Sequence, residues 1–319
     1  MISGETPWKG RLGVDGPHPT LTLDSELRGL GIDLPDPLGK APATSRPLHL
    51  DIALADRTRL SGRLGSNLGL RWQQGAPGRG QVWIGRDAPS DWPAEPGWSV
   101  QAYLPRLAPA AWGSALSPLI DGGRNGTAAD VGVSRVTLDT DCLSVGERCL
   151  GSLIVDGGPQ ADGWRLALDG SLLSGRLEYR PRRHVPLDIR LDRLRLDDLV
   201  PDDSVAATSQ DSGQLFQELD VPPTPIPMPD GIGKVPAGQL SVESLHWQSS
   251  TFGPFSANWR TSPDQLVLDP VSLSLGEIDA RGNLTWEASG PEASLTRSRL
   301  SLEGAMSARH CGPWNSRWQ

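Results

Sequence analysis

The feature that most constrains this chain is an alternation of apolar and polar residues with a period of two, running through most of its length. Residues two apart in a strand point to the same side, so this pattern builds sheet with one apolar and one wet face. It is clear at Leu21–Leu23, at Leu48, Leu50, Ile52 and Leu54, at Leu60–Leu64, Val82–Ile84 and Val100–Leu104. It returns at Val131–Val133, Val136–Leu138, Leu166–Leu168, at Leu187, Ile189 and Leu191, and at Leu194–Leu196. Towards the end come Leu240–Val242, Phe255–Trp259, Leu266–Leu268, Leu273–Leu275 and Leu284–Trp286. Bounded by Gly, Pro, Asp or Asn, these runs predict roughly 18 strands. The 37 Gly and 29 Pro of the 319 residues supply the turns that so many short strands need.

Only Pro109–Leu116 and Ser212–Leu219 read as helical, each a turn or two long and too short to stand without packing. The alternation stops from 201 to 238, where Pro222-Pro-Thr-Pro-Ile-Pro-Met-Pro reads as an extended Pro-rich linker or loop. It sets a β region at 1–200 apart from a second, partial one at 239–307, and 308–319 read as an irregular tail, in keeping with a truncated or frame-shifted end.

The two β regions look related. Leu138–Leu153 can be laid on Leu240–Phe255 without a gap, pairing Leu143 with Leu245, Leu150 with Phe252 and Gly151 with Gly253. Two further matches follow in the same order, Trp164–Asp169 with Asp264–Asp269 and Gly175–Tyr179 with Gly282–Trp286. Together they suggest a repeated β unit of about 100 residues.

Chemistry is sparse. The five histidines, at 18, 49, 184, 246 and 310, have no neighbours at metal-ligand spacing, so neither a metal nor another cofactor is expected. Asp197-Asp198 and Asp202-Asp203 read as solvated loop charges, and no nucleophile elbow or phosphate loop occurs. Gly29-Leu-Gly-Ile-Asp-Leu-Pro cannot open a dinucleotide-binding helix, because Pro35 and Pro37 block one. A net charge of −8 with three Lys leaves no basic stripe for nucleic acid. No catalytic residue is nominated, and the chain is expected not to be an enzyme. The aromatic set is lopsided, 12 Trp against 3 Phe and 2 Tyr, and Trp suits surfaces that are half wet and half apolar.

Three cysteines fit neither a disulfide framework nor a four-ligand zinc site. With Val145-Gly146 at the tip of a tight hairpin, Cys142 and Cys149 would sit directly across the strands, at a separation a disulfide can close. Two half-buried free thiols are the other reading.

Leu27–Lys40, with its Leu34-Pro-Asp-Pro-Leu-Gly-Lys turn, resembles a segment of the YhdP branch of the AsmA-like proteins. Pro47-Leu-His-Leu, Leu60-Ser-Gly-Arg-Leu, Gln81-Val-Trp-Ile-Gly and Pro96–Leu107 continue the likeness in order, with Gly163–Gly170 and Arg193–Leu196 later. It covers most of residues 5–300, and the Leu34–Lys40 turn is its most specific part. The resemblance implies an all-β fold, a long, curled antiparallel sheet forming an open apolar groove with few short helices. It also implies a non-enzymatic protein of the Gram-negative periplasm that carries phospholipid by its acyl chains between inner and outer membrane. Such proteins are held in the inner membrane by an N-terminal helix. Since residues 1–7 carry neither a basic nor an apolar leader, the chain is expected to be an internal fragment whose anchor lies elsewhere.

An alternating strand must bury its apolar face against another layer or against a ligand. The expected groove face is Leu48, Leu50, Ile52, Leu54, Leu166, Leu168, Leu187, Ile189 and Leu191. The competing class is a β-sandwich or β-solenoid, structural or adhesive, whose inward faces meet each other. A glycan-active enzyme would need paired carboxylates in a cleft, and no pair stands out.

Overall fold

The computed structural model describes residues 2–75, 78–113, 132–197, 235–262, 265–288 and 293–304. The chain divides into two compact units, Met1–Arg176 and Leu177–Gln319. Unit 1 holds β1 (Ile2–Gly4), β2 (Lys9–Gly13), β3 (Thr20–Ser25), β4 (Leu30–Ile32), β5 (Leu48–Ala53), β6 (Arg59–Leu64) and β7 (Leu68–Gln73). It continues with β8 (Arg79–Ile84), β9 (Gly97–Leu107), β10 (Val133–Val145), β11 (Arg148–Cys149), β12 (Leu153–Gln160) and β13 (Gly163–Gly170). β14 (Leu173–Tyr179) crosses the boundary. Unit 2 holds β15 (Leu187–Arg195), β16 (Gly238–Trp247), β17 (Ser250–Phe252), β18 (Phe255–Ser262), β19 (Gln265–Leu275), β20 (Ile278–Ala288) and β21 (Ala293–Gly304).

The fold is all-β, as the alternation predicts. Of the helical expectation at Pro109–Leu116, residues 109–113 are described and are helical, with the Trp112 amide donating to the Ala108 carbonyl at 3.2 Å. The second expected helix, Ser212–Leu219, and the tail at 308–319 lie outside the described residues, as does most of the Pro-rich segment.

Unit 1 is a ladder in the order β2-β3-β5-β6-β7-β8-β9-β10-β12-β13, and unit 2 one in the order β15-β16-β18-β19-β20-β21. Most pairs are antiparallel, but β8–β9, β9–β10 and β15–β16 are parallel. The sheet is therefore mixed, which corrects the antiparallel expectation. Alternation has the same period in both pairings and cannot tell them apart; only the length of the connection can. The three parallel pairs are joined by residues 85–96, 108–132 and 196–237, all long enough for a crossover. The expected linker at 201–238 thus joins two hydrogen-bonded neighbours of one unit, and its last residue, Gly238, is already in β16.

Burial is concentrated where a parallel pair meets the hairpin that follows it. In unit 1 this spot holds Leu104, Thr140, Leu150 and Leu153, and in unit 2 Leu191, Val242 and Leu245. The two spots are copies. Thr140 pairs with Leu153 and Val242 with Phe255, Val145 with Arg148 and Trp247 with Ser250, every position advanced by 102 residues. The backbone agrees: Gly146 and Gln248, at the first turn positions, have φ of 59° and 55°. That left-handed conformation matches a two-residue hairpin turn to strand twist.

Several tryptophans lie across glycines of the neighbouring strand. A Cβ on Gly80 would come within 2.4 Å of the Trp98 ring, one on Gly69 within 2.2 Å of Trp83, and one on Gly238 within 2.2 Å of Trp259. Each pair is in register. The large ring fills the space its partner leaves open, which is a reason for so many Trp in a chain poor in Phe and Tyr.

The Leu34–Lys40 turn is a brace. Lys40 is buried, and its Nζ donates to the Leu30 and Ala41 carbonyls at 2.6 and 3.1 Å. Arg46 donates to the Leu38 and Gly39 carbonyls at 2.9 and 2.8 Å. Burial, with Arg46 nearby, pushes the Lys40 ammonium below its ordinary pKa.

Candidate functional site

Residues paired in register across strands stand on the same side of a sheet, so the ladders fix which side chains share a face. In unit 1, Leu21 pairs with Ile52, Ile52 with Leu60, Leu60 with Trp72, Trp72 with Gly80 and Gly80 with Trp98. One step along the strands, Leu23–Leu50–Gly62–Leu70–Val82–Val100 form a second row, continued by Val136, Gly157 and Leu166. A third runs Leu48–Leu64–Leu68–Ile84–Ala102–Leu138 and on to Val155 and Leu168. One face of unit 1 is thus apolar, row after row, from β3 to β13.

The structure brings five expected groove residues of unit 1 onto this face: Leu50 with Leu166 in one row, Leu48 with Leu168 in another, and Ile52 in the first. Leu54 departs from the expectation. β5 ends at Ala53, so Leu54 lies past the strand and is 46% exposed. Leu187, Ile189 and Leu191 open three matching rows in unit 2, Leu187–Gly238–Trp259–Leu268–Leu284, Ile189–Leu240–Ala257–Val271–Gly282–Leu300 and Leu191–Val242–Phe255–Leu273–Ala280–Leu302. At the last strand Leu300 and Leu302 are 57% and 70% exposed.

Glycines aside, every side chain named in the three rows of unit 1 except Ala102 is half-buried. Each packs against its neighbours in the row, yet keeps some area open to solvent. An interleaved sandwich core would bury such residues almost fully.

The opposite face of unit 1 is polar and tied by cross-strand bonds. Arg11 donates to Asp24 at 2.9 Å, Thr22 to Asp51 at 2.8 Å, and His49 lies 2.7 Å from Asp24 and 2.8 Å from Asp51. Arg135 and Thr137 both donate to Asp156. Hydrogen bonding to His49, then to Arg11, holds the Asp24 carboxyl below its ordinary pKa, and bonds to Asp24 and Asp51 raise that of His49. Arg135 likewise lowers Asp156, and Asp141 raises the Tyr103 phenol. The described crossover, residues 85–96, packs over this polar face: Trp92 lies under Arg71, 4.6 Å from guanidinium carbon to ring centre, and Arg71 donates to the Asp91 carbonyl. It leaves the apolar face clear.

Cys142 and Cys149 form a disulfide with Cα atoms 5.3 Å apart. They are not directly opposite, as expected from a turn at Val145-Gly146. The turn is Gly146-Glu147, one residue later, so Cys149 faces Ser144 and Cys142 lies diagonal to it on the same side of β10. Gly146 takes the positive φ that the first turn position requires, and Val145 would not.

Trp72 and Trp98, which flank Gly80, and the small residue Gly62 belong to the face but were not legible in sequence as part of it, whereas Ala102 falls in the Val100–Leu104 alternation. Strand alternation shows Trp98 and Gly80 separately; only the register shows that they meet. Among the described residues no cluster of His, Cys, Asp and Glu could hold a metal ion, and no helix is long and apolar enough to cross a membrane.

These features define a class: a β protein built from offset copies of one strand arrangement, each unit apolar on one face and polar on the other. The chain belongs to the YhdP protein family, whose model matches residues 1–312. No curated protein matches it, and no solved structure does.

Proposed function

We propose that the apolar faces hold the acyl chains of phospholipid and let them pass from row to row, as part of a protein supplying lipid between the inner and outer membranes. The observation that carries this is the unbroken set of half-buried apolar rows in unit 1 with a hydrogen-bonded polar face behind it. Membership of the YhdP family suggests an envelope, lipid-transport-like and non-enzymatic role, and the geometry gives it a physical form.

Each methylene that leaves water for such a surface gains about 0.8 kcal/mol. A tail is held by many weak and interchangeable contacts, with no single anchoring pocket, so a shift by one row costs little. No proton transfer or covalent step is required. The site binds by area and guides by its lateral continuity.

Ile52→Asp and Ile189→Asp test the reading. In an open face the carboxylate reaches water, so the melting temperature should hold within a few degrees while phospholipid recovered with the protein, read by native mass spectrometry, falls several-fold. Unfolding of both variants would favour a closed sandwich, where an unpaired buried charge costs several kcal/mol. Folded protein with undiminished lipid would show that another face carries it.

A further inference from the structure

The crossover at residues 85–96 roofs a cavity of about 510 Å³ on the polar face of unit 1, away from the apolar rows. Its floor is sheet: Gln81 and Ser99, 3% and 5% exposed, with Gln101 and Thr137 beside them. Its roof is Pro89, Trp92 and Pro93. Arg71 pins the roof down, stacking on Trp92 and donating to the Asp91 carbonyl while its Nε donates to Gln81 Oε1 at 2.8 Å.

The floor is rich in unused polar capacity. Ser99 Oγ and the Gln101 amide have no hydrogen-bond partner among the described residues, and Gln81 uses only its oxygen. These groups open onto the cavity, where they offer both donors and acceptors to a ligand that enters it. The charges point to a neutral one. Arg135, the cation of the lining, is already bound by both oxygens of Asp156, while Asp91 and Glu95 stand at the rim and disfavour an anion. An indole opposite a floor of amides and hydroxyls suits a molecule with a C–H face and a hydroxylated edge.

From this geometry we infer that the cavity beneath residues 85–96 is a binding site for a neutral saccharide, one or two pyranose rings of a glycan, stacked on Trp92 and hydrogen-bonded by Gln81, Ser99 and Gln101. It would give the polar face a glycan contact separate from the lipid-bearing one. The volume falls within the range of small-ligand sites.

The test is ligand-observed saturation-transfer NMR on the whole chain with cellobiose, N,N′-diacetylchitobiose and maltose, and with inorganic phosphate read by phosphorus NMR line broadening. At least one disaccharide should bind in the millimolar range and phosphate should not. Trp92→Ala should weaken the binding about tenfold or more, as loss of an aromatic anchor does. Gln101→Ala should weaken it several-fold, and it decides the matter if Trp92→Ala does not fold. No binding of any disaccharide, binding of phosphate alone, or unchanged affinity in the folded variants would overturn the assignment. The Ile52→Asp protein should bind the sugar normally, so failure of the lipid reading and failure of this one are separable.

Discussion

In unit 1 the hairpin that follows the parallel pair is tied by the Cys142–Cys149 disulfide, whereas the matching positions in unit 2 hold Ser244 and Thr251, and Thr251 Oγ1 lies 3.2 Å from His246 Nδ1. At the turn, unit 1 has Gly146 and unit 2 has Gln248, both in the left-handed region. At the buried centre, Thr140 in unit 1 satisfies its hydroxyl on the Cys142 backbone, and Val242 in unit 2 has nothing to satisfy. The registers are nonetheless the same. The arrangement therefore resides in strand pairing and turn conformation, and the chemistry that ties it is interchangeable.

The largest effect should come from giving unit 1 the residues of unit 2. Cys142→Ser with Cys149→Thr removes a crosslink across a sequence separation of seven. The loop-closure estimate for so short a loop is about 2–3 kcal/mol of unfolding free energy, measured by denaturant titration under oxidising conditions. A change much below that would mean the pairing alone holds the hairpin, as in unit 2.

A smaller effect of opposite sign is expected at the second turn. Gln248→Gly relieves a left-handed non-glycine residue and should stabilise by about 1 kcal/mol, less the entropy glycine costs in the unfolded chain. No gain, or a loss, in the same titration would show that Gln248 is held by contacts worth more than its strain. The Gln248 backbone N–H donates to Asp197 Oδ1 at 2.5 Å, a bond that glycine would keep.

The smallest effect separates the polar faces. Unit 2 presents the row Arg190–Ser241–Ser256–Ser272–Arg281, with Ser256 and Ser272 hydroxyls 2.8 Å apart, where unit 1 presents Asp24, His49 and Asp51. His49 is raised, so its contribution is complete below the ordinary histidine range and is lost as pH rises through its folded pKa. Asp24 is lowered, so its contribution is present above the ordinary aspartate range and lost as pH falls through its folded pKa. The cluster should be tightest between those limits. An NMR titration of the His49 ring should give a pKa above the ordinary value, and Asp24→Asn should bring it down. An unshifted His49 that ignores Asp24→Asn would break the contrast between the faces.

The strands and the repeat were legible because both are written along the chain. Leu48, Leu50 and Ile52 declare their face by spacing, and Leu138–Leu153 declares its likeness to Leu240–Phe255 by composition. What lies between strands was not legible. Whether β9 runs with or against β8, whether Trp98 covers Gly80, and whether Cys149 faces Cys142 or Ser144 all depend on register, set by turns whose length shifts it one residue at a time. Leu54 shows the complementary limit: alternation continued one step beyond the backbone that gave it meaning.

The rows run across the strands, so the distance they cover is a matter of counting. Neighbouring strands are about 4.8 Å apart, and the eight steps from β3 to β13 lay down roughly 38 Å of surface measured along the sheet. That exceeds the roughly 30 Å hydrocarbon thickness of a bilayer. A hairpin inserted between two existing strands would lengthen the track by about 10 Å and leave the row order on either side unchanged. Reach in such a protein can be adjusted in whole strands, by duplication, without redesigning the surface that does the carrying.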